Sequence, residues 1–120
     1  MKAKYAIYYS KLFKKQRKAI IKRGYNIAEM DEVIAILANG ESLPPKYNDH
    51  ALKSGRKGQR DCHIQPDWIL IYEINANKLI LLLCETGTHS DLFLYEELIA
   101  VLLEYFNLKS QSSWMFSHGD

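Results

Sequence analysis

The hydrophobic pattern changes rhythm repeatedly along the chain, and each change marks an element. Residues 3–9, AKYAIYY, form a short Tyr-rich run that predicts a strand. From residue 11 the rhythm is helical to about residue 23. Leu12, Phe13, Gln16, Ala19, Ile20 and Arg23 share one face, and Lys11, Lys14, Lys15, Lys18 and Lys22 line the other. Ser10 can cap this helix and Gly24 ends it. Asn26 starts a second helix, with Glu29 spaced for a capping box and Ile27, Met30, Val33, Ile34 and Leu37 as its apolar stripe. The NG pair at 39–40 closes it, so a helical hairpin is expected.

The stretch ESLPPKYNDHALKSGRKGQR (41–60) has neither rhythm and predicts a long irregular loop. Loops this long in compact domains are usually functional or mobile. Three strands are expected next, at about 59–64, 68–74 and 78–85, joined by QPD and NAN turns. Turns this short imply an antiparallel meander. From about 91 the pattern DLFLYEELIAVLLEYFNL is helical again, with Asp91 as the expected cap. Its apolar residues cover most of the circumference, so Leu98, Leu102 and Phe106 are expected to be buried. The tail from 109 is expected to fray. The fold class is therefore α+β.

Composition narrows the class without naming it. A chain of 120 residues, 48% hydrophobic and 25% charged, suits one globular domain. No apolar run approaches the roughly 20 residues of a membrane span, and no signal-peptide pattern opens the chain, so a cytoplasmic protein is expected. Cys62 and Cys84, without a CxxC, read as buried apolar residues on strands. The net charge of +2 hides an asymmetry: residues 1–60 carry 14 Lys/Arg against 5 Asp/Glu, and residues 61–120 carry 2 against 9. A basic half of this kind fits a polyanion partner as well as it fits a solvated helix face.

Candidate chemistry lies in the histidines. His50 falls in the loop, His63 near the end of a strand, His89 just past another, and His118 in the tail. On neighbouring strands His63 and His89 can share one sheet surface, with His50 folded over it. Imidazoles with a pKa of about 6.5 could then move protons near neutral pH. Each also reads as an ordinary turn or surface residue. A zinc site is the other use of imidazole and thiolate, but no spacing here resembles a zinc motif. Asp67 in QPDW reads first as a turn residue, and Trp68 as core.

The motifs YNDHAL, CHIQPDW and TGTHSDLF, at this spacing and over about residues 3–93, make the chain resemble the YafQ-type toxins of the RelE superfamily. The resemblance implies a RelE-like microbial RNase fold, with an N-terminal strand and helical hairpin packed on an antiparallel sheet. It implies the toxin half of a type II toxin–antitoxin module that cuts mRNA in the ribosomal A site without a cofactor or metal. It implies a small RelB/DinJ-like dimeric antitoxin that represses its own operon, so that operator DNA is met only through the antitoxin. Position by position it assigns catalytic roles to His50, His63, Asp67 and His89, pairs Trp68 with Asp67, and ends on Phe93. Phe93 or Trp68 would stack on a base. Lys53, Arg56, Lys57 and Arg60, with the five lysines of the first helix, would hold rRNA and mRNA phosphates.

Two departures stand out. Family members carry Arg just before TGTH, and this chain has Glu85. A carboxylate there removes a donor to the scissile phosphate and adds repulsion, so an inactive or attenuated nuclease is expected. The chain also runs on past the family's block, giving an expected division into a toxin domain at 1–93 and a C-terminal extension at 94–120. Two rival functions remain at this stage: a ParE-like toxin that poisons gyrase, and a non-catalytic antitoxin-binding module.

Overall fold

The computed structural model describes residues 3–52 and 56–117, the backbone alone for 94–97 and 108–117. The elements run β1 (Ala6–Tyr9), α1 (Lys11–Lys22), α2 (Ile27–Ala38), a single 3-10 turn (Pro45–Tyr47), β2 (His50–Ala51), β3 (Gln59–Gln65), β4 (Trp68–Asn75), β5 (Ile80–Gly87) and α3 (His89–Ser117). The chain divides into two compact units, Met1–His89 and Ser90–Asp120.

In the first unit one five-stranded sheet has the order β1-β5-β4-β3-β2. The expected meander β3–β4–β5 is antiparallel, and β1 joins β5 in parallel. The helical hairpin supplies the crossover a parallel pair needs. Local chemistry fixes its ends. The Ser10 hydroxyl accepts from the Phe13 N–H at 2.9 Å and donates to the Cys84 carbonyl at 2.6 Å, which ties the start of α1 to β5. Gly24, at φ +86°, takes the left-handed turn between the helices. Asn26 caps α2 through the Ala28 N–H. The expected capping box does not close, because the Glu29 carboxylate accepts from Gln65 instead.

The hairpin covers one face of the sheet. Phe13, Ile20, Met30, Val33 and Leu37 form a core with Cys62, Leu70, Tyr72, Leu81 and Leu83. Fully burying each large apolar side chain contributes about 1.5–3 kcal/mol. On α1 only Phe13 and Ile20 are buried, so its apolar face is narrower than expected: Leu12, Ala19 and Arg23 stand exposed. Cys62 and Cys84 are buried and free, as expected. Burial raises both thiols, Cys84 to about 11.

Two elements differ from the sequence reading. The long segment is not wholly irregular. Pro44 and Pro45 open its 3-10 turn, and Asn48, in the left-handed region at φ 47°, redirects the chain so that His50 and Ala51 pair with β3. The last helix starts at His89, two residues before the expected cap, so Asp91 sits in its first turn, and it continues past 108 to Ser117. Leu98, Leu102 and Phe106, expected to be buried, are 55%, 48% and 62% exposed. Among the described residues no helix is long and apolar enough to cross a membrane.

Candidate active site

Strand alternation sends every second side chain of the meander to the face away from the hairpin. Pairing carries one row across that face: His50 opposite Asp61, Asp61 opposite Ile71, Ile71 opposite Glu85. Next to it run His63, Ile69 and Gly87. Glu85 reaches this face because of a β-bulge. Leu83 pairs with Tyr72 and Glu85 with Ile71, which leaves Cys84 as the extra residue. Without that insertion Glu85 would share Leu83's side of the sheet.

The two imidazoles face each other with ring centroids 6.2 Å apart. His50 Nδ1 lies 2.7 Å from the Asn48 carbonyl, and His63 Nδ1 lies 3.2 Å from the Pro66 carbonyl. A carbonyl only accepts, so each Nδ1 carries a hydrogen. The tautomers are thereby fixed, and both Nε2 atoms are left for chemistry. They converge on one atom, Asp61 Oδ1, at 3.0 Å from His50 and 3.8 Å from His63.

Asp61 is the member of this cluster that the sequence reading missed. It is 5% exposed, and Oδ1 has no donor aligned for a hydrogen bond among the described residues. Its neighbours across β4, Ile69 and Ile71, are fully buried. Burial pushes its carboxyl above the usual carboxylate range, against the pull of His50, His63 and, more weakly, His89. The Asp61 carboxyl and the two Nε2 atoms thus form one three-membered cluster. The signal was present in RDCH: Asp61 stands two residues before His63 on a strand, hence on the same face.

The other expected residues divide. Asp67 and His89 come together, since the Asp67 carboxylate accepts from the His89 backbone N–H at 2.9 Å; both are exposed. Trp68 is corrected. It is 2% exposed, donates from Nε1 to Thr86 Oγ1 at 3.1 Å and packs edge-on against Tyr25, so no base can stack on it. Arg56 reaches Glu85, with Nη1 2.9 Å from Oε2 and both side chains mostly buried. Arg60 is engaged by Asp49 at 3.3 Å, which raises its already high pKa, and so serves the fold before any phosphate. Lys57 is exposed in the turn before β3. Lys53 lies outside the described residues, as does His118. Lys11, Lys14, Lys15, Lys18 and Lys22 are exposed on α1, in the layer on the far side of the sheet from the histidines. Phe93 belongs to the second unit, half-buried on α3. His63 also lines a cleft of about 460 Å³ with Glu29, Lys46, Tyr47 and Pro66, room for a nucleotide-sized group.

Residues 5–94 match the family described as the bacterial toxin of type II toxin–antitoxin systems, YafQ. The chain is 41% identical over 88 residues to the mRNA interferase toxin YafQ of Escherichia coli (strain B / BL21-DE3), covering 72% of this chain and 94% of that protein. A putative YafQ toxin of Haemophilus influenzae is 43% identical over 68 residues, 54% of this chain and 67% of its own. The fold matches the crystal structure of the E. coli DinJ–YafQ complex with a TM-score of 0.69 and 40% identity, over 74% of this chain and 98% of that one.

Proposed function

The chain belongs to the YafQ family of bacterial type II toxins, and on that premise we propose that it is an endoribonuclease that cuts mRNA on the ribosome, with the substrate's own 2′-hydroxyl as nucleophile. In this reaction the O2′–P bond forms as the P–O5′ bond breaks. One proton leaves O2′ and another is delivered to O5′, which yields a 2′,3′-cyclic phosphate and a 5′-hydroxyl. The observation that carries the reading is the convergence of two Nε2 atoms, with their Nδ1 partners committed to carbonyls, on the buried Asp61 carboxyl. A neutral Nε2 accepts a proton and a protonated one donates it, so the cluster serves either transfer. Each such transfer is worth about 10²–10⁴ in rate. His89, held by its backbone at Asp67, supplies a third imidazole. The substrate brings its own nucleophile, so no step requires a metal.

Glu85 sets the rate below that of a chain with arginine at this place. A lost preorganised donor costs about 10²–10³. The Arg56 guanidinium neutralises the carboxylate and offsets part of that cost. Lys57 and the α1 lysines are the phosphate-facing charges toward rRNA. The partner is a DinJ-like antitoxin, as in the solved E. coli complex, and operator DNA is reached through it.

Primer extension on mRNA in programmed ribosomes tests the reading. The unmodified chain should give discrete A-site cuts, His63→Gln should abolish them, and Glu85→Arg should strengthen them. Cutting that survives His63→Gln and His50→Gln together overturns the assignment; equal, robust cutting with and without Glu85→Arg overturns attenuation.

A further inference from the structure

We propose that Asp49, Arg60 and Tyr72 are positioning residues: a clamp on the reverse face of the sheet that fixes the register of β2 and so holds the His50 imidazole at Asp61. The proposal rests on the reading of His50 as a proton-transfer group.

β2 is two residues long. Its ladder consists of His50 opposite Asp61 and Ala51 opposite Arg60, extended by one bond from the Leu52 N–H to the Gln59 carbonyl at 3.0 Å. So short a ladder specifies register weakly, and a slip of one residue turns every side chain to the other face. For His50 that slip would remove the imidazole from the cluster. Something outside the ladder must set the register.

Asp49, one residue earlier, points to the opposite side by the same alternation. There the Tyr72 hydroxyl donates to its Oδ1, Arg60 Nε donates to Oδ1 at 3.3 Å, and Arg60 Nη2 donates to Oδ2 at 3.3 Å. Arg60 and Tyr72 are themselves cross-strand partners on β3 and β4. Tyr72 is 1% exposed and belongs to the core, so its hydroxyl is a fixed point. The forked guanidinium matches both carboxylate oxygens, a geometry that an ammonium cannot reproduce. A rigid core atom thus fixes Asp49, and Asp49 fixes its neighbour. Asn48 completes the arrangement, because its carbonyl receives the His50 Nδ1 hydrogen.

Tyr72→Phe and Asp49→Asn, made separately in the full chain, test this. Two readings are taken. One is kcat and KM for mRNA cleavage on programmed ribosomes. The other is the tautomer of His50 by ¹⁵N NMR of the imidazole in the chain alone. Displacing a reacting group by about 1 Å costs roughly 10²-fold. The clamp predicts kcat lowered by about 10–100-fold with KM within about twofold, and a His50 ring that changes from a fixed Nδ1–H tautomer to a mixture. A folded variant that keeps both kcat and the Nδ1–H tautomer overturns the proposal. So does a loss of kcat that only tracks the unfolded fraction while the tautomer is unchanged. If the unmodified chain cuts no RNA, the nuclease reading fails, but the NMR arm still decides the clamp.

Discussion

The two faces of the sheet are made by the same strands and obey opposite rules. On the hairpin side the polar groups that enter the core are satisfied. Trp68 Nε1 donates to Thr86, Thr86 donates to the Ile69 carbonyl, and the Thr86 N–H donates to Gln16. On the other side, between equally buried Ile69 and Ile71 and the two imidazoles, Asp61 Oδ1 is buried without an aligned donor. Folding alone does not favour such an atom, since an unsatisfied buried acceptor costs about 1–3 kcal/mol. One face stabilises the plate; the other carries a cost at Asp61, which the proposed proton transfers would explain. The difference is written residue by residue, as β4 alternates Leu70 and Tyr72 with Ile69 and Ile71.

That contrast can be broken from either side. The largest effect belongs to the chemical face: His63→Gln should lower mRNA cleavage by about 10²–10⁴-fold with little change in thermal midpoint. Single-turnover cleavage and a melting curve on the same preparation check it. Leu70→Ala on the hairpin face should do the reverse, costing about 2–5 kcal/mol of stability in a urea titration while the folded fraction cuts at the normal rate. Glu85→Arg should raise cleavage by about 10-fold or more, read by primer extension. The smallest effect sharpens the comparison. The folded Asp61 carboxyl keeps its proton above its ordinary value of 3.8, so the folded state binds more protons than the unfolded one in that interval and stability falls as pH rises through it. Asp61→Asn should remove that fall. At neutral pH it should raise Tm by about 4 °C, the shift expected for roughly 1 kcal/mol in a domain of this size, although cleavage is lost.

The hairpin face was the more legible of the two. Its periodicities are long, and α2's stripe of Met30, Val33, Ile34 and Leu37 is buried as read. The meander was legible because short polar turns leave few alternatives. The chemical face was legible mainly through its motifs. His50 could be placed near the cluster, but β2 could not be read, since two residues carry no periodicity and their pairing is imposed by Asp49 from behind. Asp61 was hidden because an acid between Arg60 and Cys62 looks like any polar strand position. Arg60 read as a phosphate ligand because charge in a loop says nothing of a carboxylate eleven residues away. In α3 an apolar pattern gives helix but not burial, and Val101, Leu103 and Phe106 stand exposed.

Asn48 has a consequence for how this chain can vary. Its backbone sits where side chains branched at Cβ are excluded, and the carbonyl that this conformation aims at His50 selects the ring's protonated nitrogen. In a saturation library selected for growth arrest, position 48 should accept Gly and Asp and reject Val, Ile and Thr.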